Sequence, residues 1–493
     1  MLKFNVKNKT IPQVYINIGA CLDIPTGNMI TGKNGETIIN GGLGKVVTLV
    51  GAGNTFKSTI LYYQMLSAAN KIKYSTPTDM MTYDTEINIS LDRLTSFAKK
   101  FENFDEGVIT GQTGNDPDWG ITDKSLLPAE TWINDLNDYA VAKAKDKNTK
   151  TTLTAFKDPY SANALVVPTP TFAMIDSLSE FESSKTVDML SKDLEDSSKN
   201  TYAMQQGKFK QMFMSTLPRL CNMSNTHLLA TAHIGEKINM DTGPMAKYNQ
   251  PTKKLQYLKQ GDAVKGVSGK FFFLSNSGWY AHTASALKNQ TTKQAEYPAH
   301  KDDDNASDLN VVKLTMLRSK NGASGYTIEL VVSQIEGVLP TLTEFHYVKG
   351  NGRFGIEGSN ISYHMVLYPD TNLSRTTVRT KINNDPLLRR AINITSELLQ
   401  LNTFHPRYRE QGLLCTPEEL YKDIKALGYD WNVLLQTREF WIPDQYCTTV
   451  KPFLSVMDLL KMRRELYTPY WMDSDKKIKK AYAKLFNGYE DGK

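Results

Sequence analysis

The chain has 493 residues, 40% of them hydrophobic and 22% charged. This ordinary globular composition excludes a wholly disordered chain and, at roughly 100–200 residues per domain, allows two to four domains. The net charge of +6 is placed unevenly: residues 371–493 carry 20 Lys and Arg against 15 Asp and Glu, which fits an acidic partner for that quarter or simply a solvated helical surface.

No apolar run approaches the ~20 residues that cross a bilayer. The opening stretch MLKFNVKNKTIPQVYINIG lacks the apolar region and cleavage site of a signal peptide. A cytoplasmic protein without a membrane partner is therefore expected. Cys21, Cys221, Cys415 and Cys447 form no C-x-x-C pair, and no H-x-x-x-H pair occurs. A disulfide framework, a zinc knuckle and a zincin site are not expected.

Residues 1–40 mix short apolar stretches with turns at Pro25-Thr26-Gly27 and Lys33-Asn34-Gly35. GGLGKVVTLV (41–50) ends as a buried strand, a glycine-rich turn follows, and STILYYQMLSAANKI (58–72) reads as a helix. The next apolar pulse ends at TYDTE (82–86). Strand, loop, helix, strand is one βαβ unit, so the fold class is α/β with a mainly parallel central sheet. Residues 104–165 are polar and read as an insertion or lid, with a helix inside 129–146. The strand series resumes within 168–178 (PTFAMIDSL) and at THLLATAHI (226–234), then at 270–282, 309–318 and 325–333. From about 385 onward periods near 3.6 dominate, as in PLLRRAINITSELLQL and LSVMDLLKMRREL, and a helical carboxy-terminal domain is expected.

The segment Gly51, Ala52, Gly53, Asn54, Thr55, Phe56, Lys57, Ser58, Thr59 matches the phosphate-binding pattern G-x-x-x-x-G-K-[ST], except that Phe56 replaces the second glycine. Between a strand and a helix, such a loop points backbone N–H groups at a polyphosphate. Lys57 would reach the β- and γ-phosphates and the Ser58 hydroxyl would ligate Mg²⁺. Asp176 closes the run FAMI, the position of a carboxylate that holds Mg²⁺ through water. YDTE (83–86) closes another strand, and its Glu86 is the candidate general base. Taken singly, either acid also reads as a surface residue at a strand end.

With these residues in place the chain resembles the RecA-type recombinases, and within them the UvsX group of tailed phages. NGGLGKVVTLVGAGNTFKS (40–58) is similar to the family's entry into its phosphate loop, including the Phe-Lys-Ser variant. YDTE (83–86), MIDSLS (174–179) and TAHIG (231–235) are similar to its catalytic glutamate, its acidic strand end and its γ-phosphate sensor. The likeness continues more weakly through FHYVKGNGRFGI (345–356) and NNDPLLRRAINI (383–394). It implies a RecA-like ATPase core with ATP and Mg²⁺ as ligands, and it gives His233 the sensor role; a hydrogen-bonded core histidine is the other reading.

Where the family packs a tyrosine on adenine, this chain has Arg93, whose guanidinium can stack instead. The likeness also implies that Arg318 and Lys320 reach the γ-phosphate of a neighbouring subunit; a turn with two exposed cations is the other reading. Two DNA-binding loops are implied, near 180–205 and 236–268. The second contains Lys237, Lys247, Lys253, Lys254, Lys259 and Lys265, which supply sequence-independent phosphate attraction or are merely solvated.

The expected division is an oligomerisation segment (1–40), the ATPase core (41–350, insertion about 110–165) and a mainly helical domain (351–493). The expected function is an ATP-dependent recombinase that forms a helical filament on single-stranded DNA and exchanges strands. Its protein partners would be a mediator, a helicase or a single-strand-binding protein. A hexameric RecA-fold helicase and a non-catalytic DNA-binding scaffold are the alternatives.

Overall fold

The computed structural model describes residues 12–111, 118–146, 150–161, 163–184, 196–234, 270–299, 308–322 and 324–488. A short hairpin, β1 (Asn28–Thr31) and β2 (Thr37–Asn40), precedes the main sheet. The sheet strands are β3 (Val46–Gly51), β4 (Asp79–Asp84), β5 (Trp119–Asp123), β8 (Thr171–Asp176), β9 (Thr226–His233), β10 (Ser277–Ala286), β11 (Leu309–Ser319), β12 (Thr327–Ser333) and β13 (Gly337–Val338). A separate antiparallel hairpin, β6 (Thr151–Lys157) with β7 (Ala164–Pro168), lies between β5 and β8 in the chain.

The nine strands run in the order β13-β12-β11-β10-β3-β9-β8-β4-β5. From β10 to β5 every pairing is parallel; β11, β12 and β13 add antiparallel neighbours. Central parallel strands are covered on both faces and so must be apolar on both. β3 and β8 are buried at every position, which accounts for the unbroken runs VVTLV and FAMI.

The chain is α/β, as expected, but three local expectations need correction. The stretch read as an insertion supplies β5, the edge strand of the main sheet, before its helix Ala129–Lys145 and the β6–β7 hairpin. Trp119 donates its indole N–H to Thr82 Oγ1 at 2.9 Å and is fully buried, so this edge is part of the core. Second, KFFF at 270–273 is one helical turn and the strand begins only at Ser277. Phe271 and Phe272 are buried there, an apolar run too short for periodicity to separate helix from strand. Third, a three-stranded antiparallel sheet, β14 (Ile356–Gly358), β15 (Tyr363–Met365) and β16 (Tyr368–Leu373), precedes the carboxy-terminal helices.

Much of 14–40 packs against the rest of the chain. Tyr63 and Ser67, on the helix Lys57–Lys73, donate their hydroxyls to the Ile18 carbonyl at 2.5 and 2.9 Å. Trp441 donates its indole N–H to the Tyr15 carbonyl at 3.2 Å, and the Thr37 amide donates to Asp458 Oδ1 at 2.6 Å. The carboxy-terminal helices therefore pack onto the amino-terminal segment. Their starts are legible in the sequence: Thr416 with Glu419 and Ser455 with Asp458 are capping boxes. Among the described residues no helix is long and apolar enough to cross a membrane.

Where the helices Pro340–Gly350 and Pro386–Phe404 meet the amino-terminal segment, Glu344 and Glu397 are buried and Asp23 is half-buried. Asn393 Nδ2 donates to Glu344 at 3.4 Å and to Glu397 at 3.5 Å. Burial pushes Glu397 up to about 8, with the charges of Glu439 and Asp23 adding to it and Arg390 opposing. The unfolded carboxyl releases its proton near ~4.3 while the folded one keeps it to about 8, so this group makes stability fall as pH rises through that window. Glu397→Gln should flatten that fall, measured as melting temperature from pH 5 to 8.5. An unchanged slope would show that Glu397 does not carry it.

Candidate functional site

Parallel pairing brings the carboxyl ends of the central strands to one edge. Gly51 of β3 lies opposite His233 of β9, and Asp84 of β4 lies opposite Asp176 of β8. In open α/β sheets this is the edge where ligands bind.

The loop after β3 is shaped by its backbone. A side chain on Gly51 would lie 2.7 Å from Thr55 Oγ1 and 2.8 Å from the Ala281 carbonyl, so only glycine fits. Asn54 and Phe56 both have φ of 58°. Phe56 thus holds the left-handed conformation that glycine adopts freely, at a cost of about 1–2 kcal/mol. Its ring packs on the apolar core, and that burial offsets the strain. The Thr55 hydroxyl donates to the Ala52 carbonyl at 2.9 Å, and Lys57 Nζ donates to the same oxygen at 2.5 Å. Space is open beside Gly53.

The helix Lys57–Lys73 begins directly after this loop. Its first helical donation is from the Ile60 amide to the Phe56 carbonyl at 2.9 Å; the amides of Phe56, Lys57, Ser58 and Thr59 donate to no acceptor among the described residues. Free amides at a helix amino terminus, with an ammonium beside them, suit a polyanion. Burial holds Lys57 below the usual lysine range, with Asp176 and Glu86 pulling the other way.

Asp176 is 7% exposed. Its Oδ1 accepts from Thr231 Oγ1 at 2.6 Å and its Oδ2 from the Tyr62 hydroxyl at 3.4 Å. Burial raises its pKa, opposed by hydrogen bonds from Ser58 and Thr231. Ser58 and Asp176 therefore stand together as two hard oxygen donors beside the loop after β3. Among the described residues no group of three or more acids, histidines or cysteines could hold a metal. Mg²⁺ uses one or two carboxylates and keeps waters or phosphate oxygens for the rest. The donor set fits Mg²⁺.

Glu86 is placed by its neighbours. Asp84 Oδ1 accepts the amides of Glu86 and Ile87, each at 2.9 Å, and its Oδ2 accepts those of Asn88 and Ile89 at 3.0 and 3.1 Å. The Thr85 amide donates to the Asp176 carbonyl at 2.8 Å, and the Thr85 hydroxyl donates to the Ser177 carbonyl at 2.7 Å. Glu86 Oε1 then lies 2.8 Å from His233 Nε2. Burial alone would raise the Glu86 pKa, but the His233 hydrogen bond and the charges of His233 and Lys57 hold it below the usual glutamate range. His233 is fixed in turn by its amide, which donates to Ser179 Oγ at 2.8 Å.

The structure thus brings Lys57, Ser58, Glu86, Asp176 and His233 together. It does not bring Arg318 and Lys320 to them. Arg318 pairs with Gly278, which pairs with Thr48 in β3, and the Lys320 amide donates to the Asn276 carbonyl at 3.0 Å. The guanidinium of Arg318 lies over Phe273, 5.8 Å from the ring centre and ahead of β10. Both cations therefore sit toward the opposite end of the sheet from Gly51 and do not serve the loop of their own chain. Arg93 lies on the helix Leu91–Ala98, donating to the Gln334 carbonyl at 3.2 Å and covering Phe97 at 5.2 Å. Lys237, Lys247, Lys253, Lys254, Lys259 and Lys265 lie outside the described residues.

Sequence reasoning missed Asp84, Thr231 and Ser179. Thr231 stands two residues before His233, and alternation along a strand places it on the same face. Asp84, an acid two residues before Glu86, had the spacing of a side chain that captures its own following amides. No protein-family model matches the chain, and no curated protein matches it either.

Asp84→Ala should leave the Glu86 loop without its anchor. Amide hydrogen exchange at Glu86, Ile87, Asn88 and Ile89 is expected to rise at least tenfold while β3 stays protected. Unchanged exchange would mean the loop is held otherwise.

Proposed function

We propose that this protein is an ATP-hydrolysing, RecA-like recombinase that assembles into a helical filament on single-stranded DNA and promotes strand exchange. One observation carries the reading: Lys57, Ser58, Asp176, Glu86 and His233, from separate strand ends, meet beside the unpaired amides of residues 56–59. The resemblance of those residues to RecA-type motifs supplies the substrate class.

In this reading Lys57 and the free amides bind and orient the β- and γ-phosphates. Ser58 and Asp176 would hold Mg²⁺, which supplies charge neutralisation at the phosphate oxygens when bound. Glu86 accepts a proton from the attacking water; its lowered pKa keeps it ionised at neutral pH, ready to do so. His233, bonded to Glu86, links the γ-phosphate position to the chain that follows β9. The lysines at 237–265 would then meet the DNA backbone.

Filament assembly is supported by two features at opposite ends of the sheet. Ile87 and Leu91 flank Glu86 at 53% and 49% exposure, an apolar rim suited to cover by another copy. Arg318 and Lys320, out of reach in cis, are free to complete a neighbour's site. Such a contact joins two different patches of the same chain, and head-to-tail contacts of this kind build open filaments unless they close into a ring.

Lys57→Ala is expected to reduce DNA-stimulated ATP turnover at least ~100-fold, the scale of losing one transition-state charge contact; wild-type turnover would remove the phosphate-site assignment. Glu86→Gln should retain ATP binding, with hydrolysis slowed ~10²–10⁴-fold. Mixing Lys57→Ala with Arg318→Ala subunits should restore part of the activity that each lacks alone. No rescue would rule out a site shared across protomers. Electron microscopy with single-stranded DNA and a non-hydrolysable ATP analogue should show filaments; closed rings would favour a helicase.

A further inference from the structure

A cavity of about 400 Å³ opens away from the phosphate loop, between the β6–β7 hairpin, the end of the helix Asp196–Ser224 and the chain at Pro12–Val14. Lys45, one of its lining residues, directly precedes β3, whose far end is Gly51. At ~3.3 Å per residue the two sites are roughly 20 Å apart. Most of the wall is apolar, including Val14, Leu165, Val167 and Met223; Lys45, Asn222, Asn225, Asp158 and Tyr160 are its polar lining residues.

Lys45 is 5% exposed and has no acidic contact among the described residues. Its Nζ donates to Asn225 Oδ1 and lies 3.0 Å from His227 Nε2. The other ring nitrogen of His227 is 2.9 Å from the Gly44 carbonyl, so Nδ1 carries the hydrogen and Nε2 accepts. An ammonium has three hydrogens, and these two neutral acceptors take two. The charges facing it do not compensate it. Lys143, on the Ala129–Lys145 helix, repels it, and Cys221 is held as a neutral thiol by burial, which pushes it up to about 12. His227 is kept neutral by burial and by Lys45 itself. Asp158 is occupied by the Tyr160 amide at 2.8 Å and by Ser161 at 3.2 Å. A buried cation without a counter-ion is costly, and an anion in the adjoining cavity relieves it.

We infer that this cavity binds a small monocarboxylate with a short apolar tail, its carboxylate taking the third ammonium hydrogen of Lys45 and its tail lying against Val14, Leu165, Val167 and Met223. Among the described residues that line the cavity Lys45 is the one cation, with no guanidinium fork, and a single ammonium matches one carboxylate better than a phosphate. The volume, at the low end for ligand pockets, suits a short chain.

The test is calorimetric titration of the full-length chain with octanoate and, as its neutral counterpart, octanamide. Octanoate should bind at least tenfold more tightly. Burial lowers Lys45 to about 7, so above that pH the empty site holds a neutral amine that must gain a proton to pair with the carboxylate. Octanoate affinity should therefore fall about tenfold between pH 7.5 and 8.5, with proton uptake visible as a dependence of the heat on buffer ionisation. Lys45→Met should abolish the preference for octanoate. Val166 is 52% exposed at the cavity mouth, so Val166→Trp narrows the mouth without disturbing the core and should also weaken binding. If Lys45→Met fails to fold, Val166→Trp and the pH slope still decide. Equal affinity for the two probes, absence of binding, or octanoate binding unaltered in either folded variant would overturn the inference.

Discussion

A carboxylate buried in a protein needs hydrogen bonds from every side, and Asp176 draws them from separate parts of the chain. Thr231 reaches it from β9, and Tyr62 and Ser58 reach it from the helix Lys57–Lys73. Its backbone carbonyl also accepts the Thr85 amide from the end of β4. One acidic residue thus ties the helix Lys57–Lys73, two strands and the glutamate-bearing loop together. Removing the acid would leave buried donors orphaned.

The site rests on backbone constraints as much as on side chains. Gly51 admits no side chain, and Phe56 accepts a left-handed conformation that glycine would hold more cheaply. The phenyl ring turns that strain into packing against the core. Asp84 satisfies the turn beyond β4 and leaves the Glu86 carboxylate turned toward His233 and Lys57. The electrostatic consequence is coherent: the lysine is held low by burial, while the glutamate is held ionised by the histidine and the lysine.

Packing also explains why the carboxy-terminal region is not a detachable appendage. Its helices bury Trp441, Trp471 and Leu460 against elements from the start of the chain, and Asp458 caps its own helix while accepting the Thr37 amide. At the other end of the sheet, Lys45 shows the converse situation, a buried amine whose hydrogen-bond partners among the described residues, Asn225 and His227, are neutral.

Much was legible in the sequence because the relevant physics is local. VVTLV followed by a glycine-rich turn and an apolar-periodic helix announces a strand-loop-helix unit, and strand-end acids at Glu86 and Asp176 announce where polar groups must gather. Capping boxes at Thr416 and Ser455 mark helix starts in the same way. The membership of β5 in the main sheet was not legible, since a short half-polar edge strand has no distinctive period and gains its place only by pairing with β4. The helical turn at KFFF and the β14–β16 sheet were lost for the same reason. Strand order decided that Lys57, Asp176, Glu86 and His233 share one edge and that Arg318 and Lys320 lie toward the other, because which strand ends meet depends on crossovers between distant segments. The cavity beside Lys45 is likewise a product of tertiary structure, built from the amino-terminal stretch, the β6–β7 hairpin and the end of a helix far along the chain.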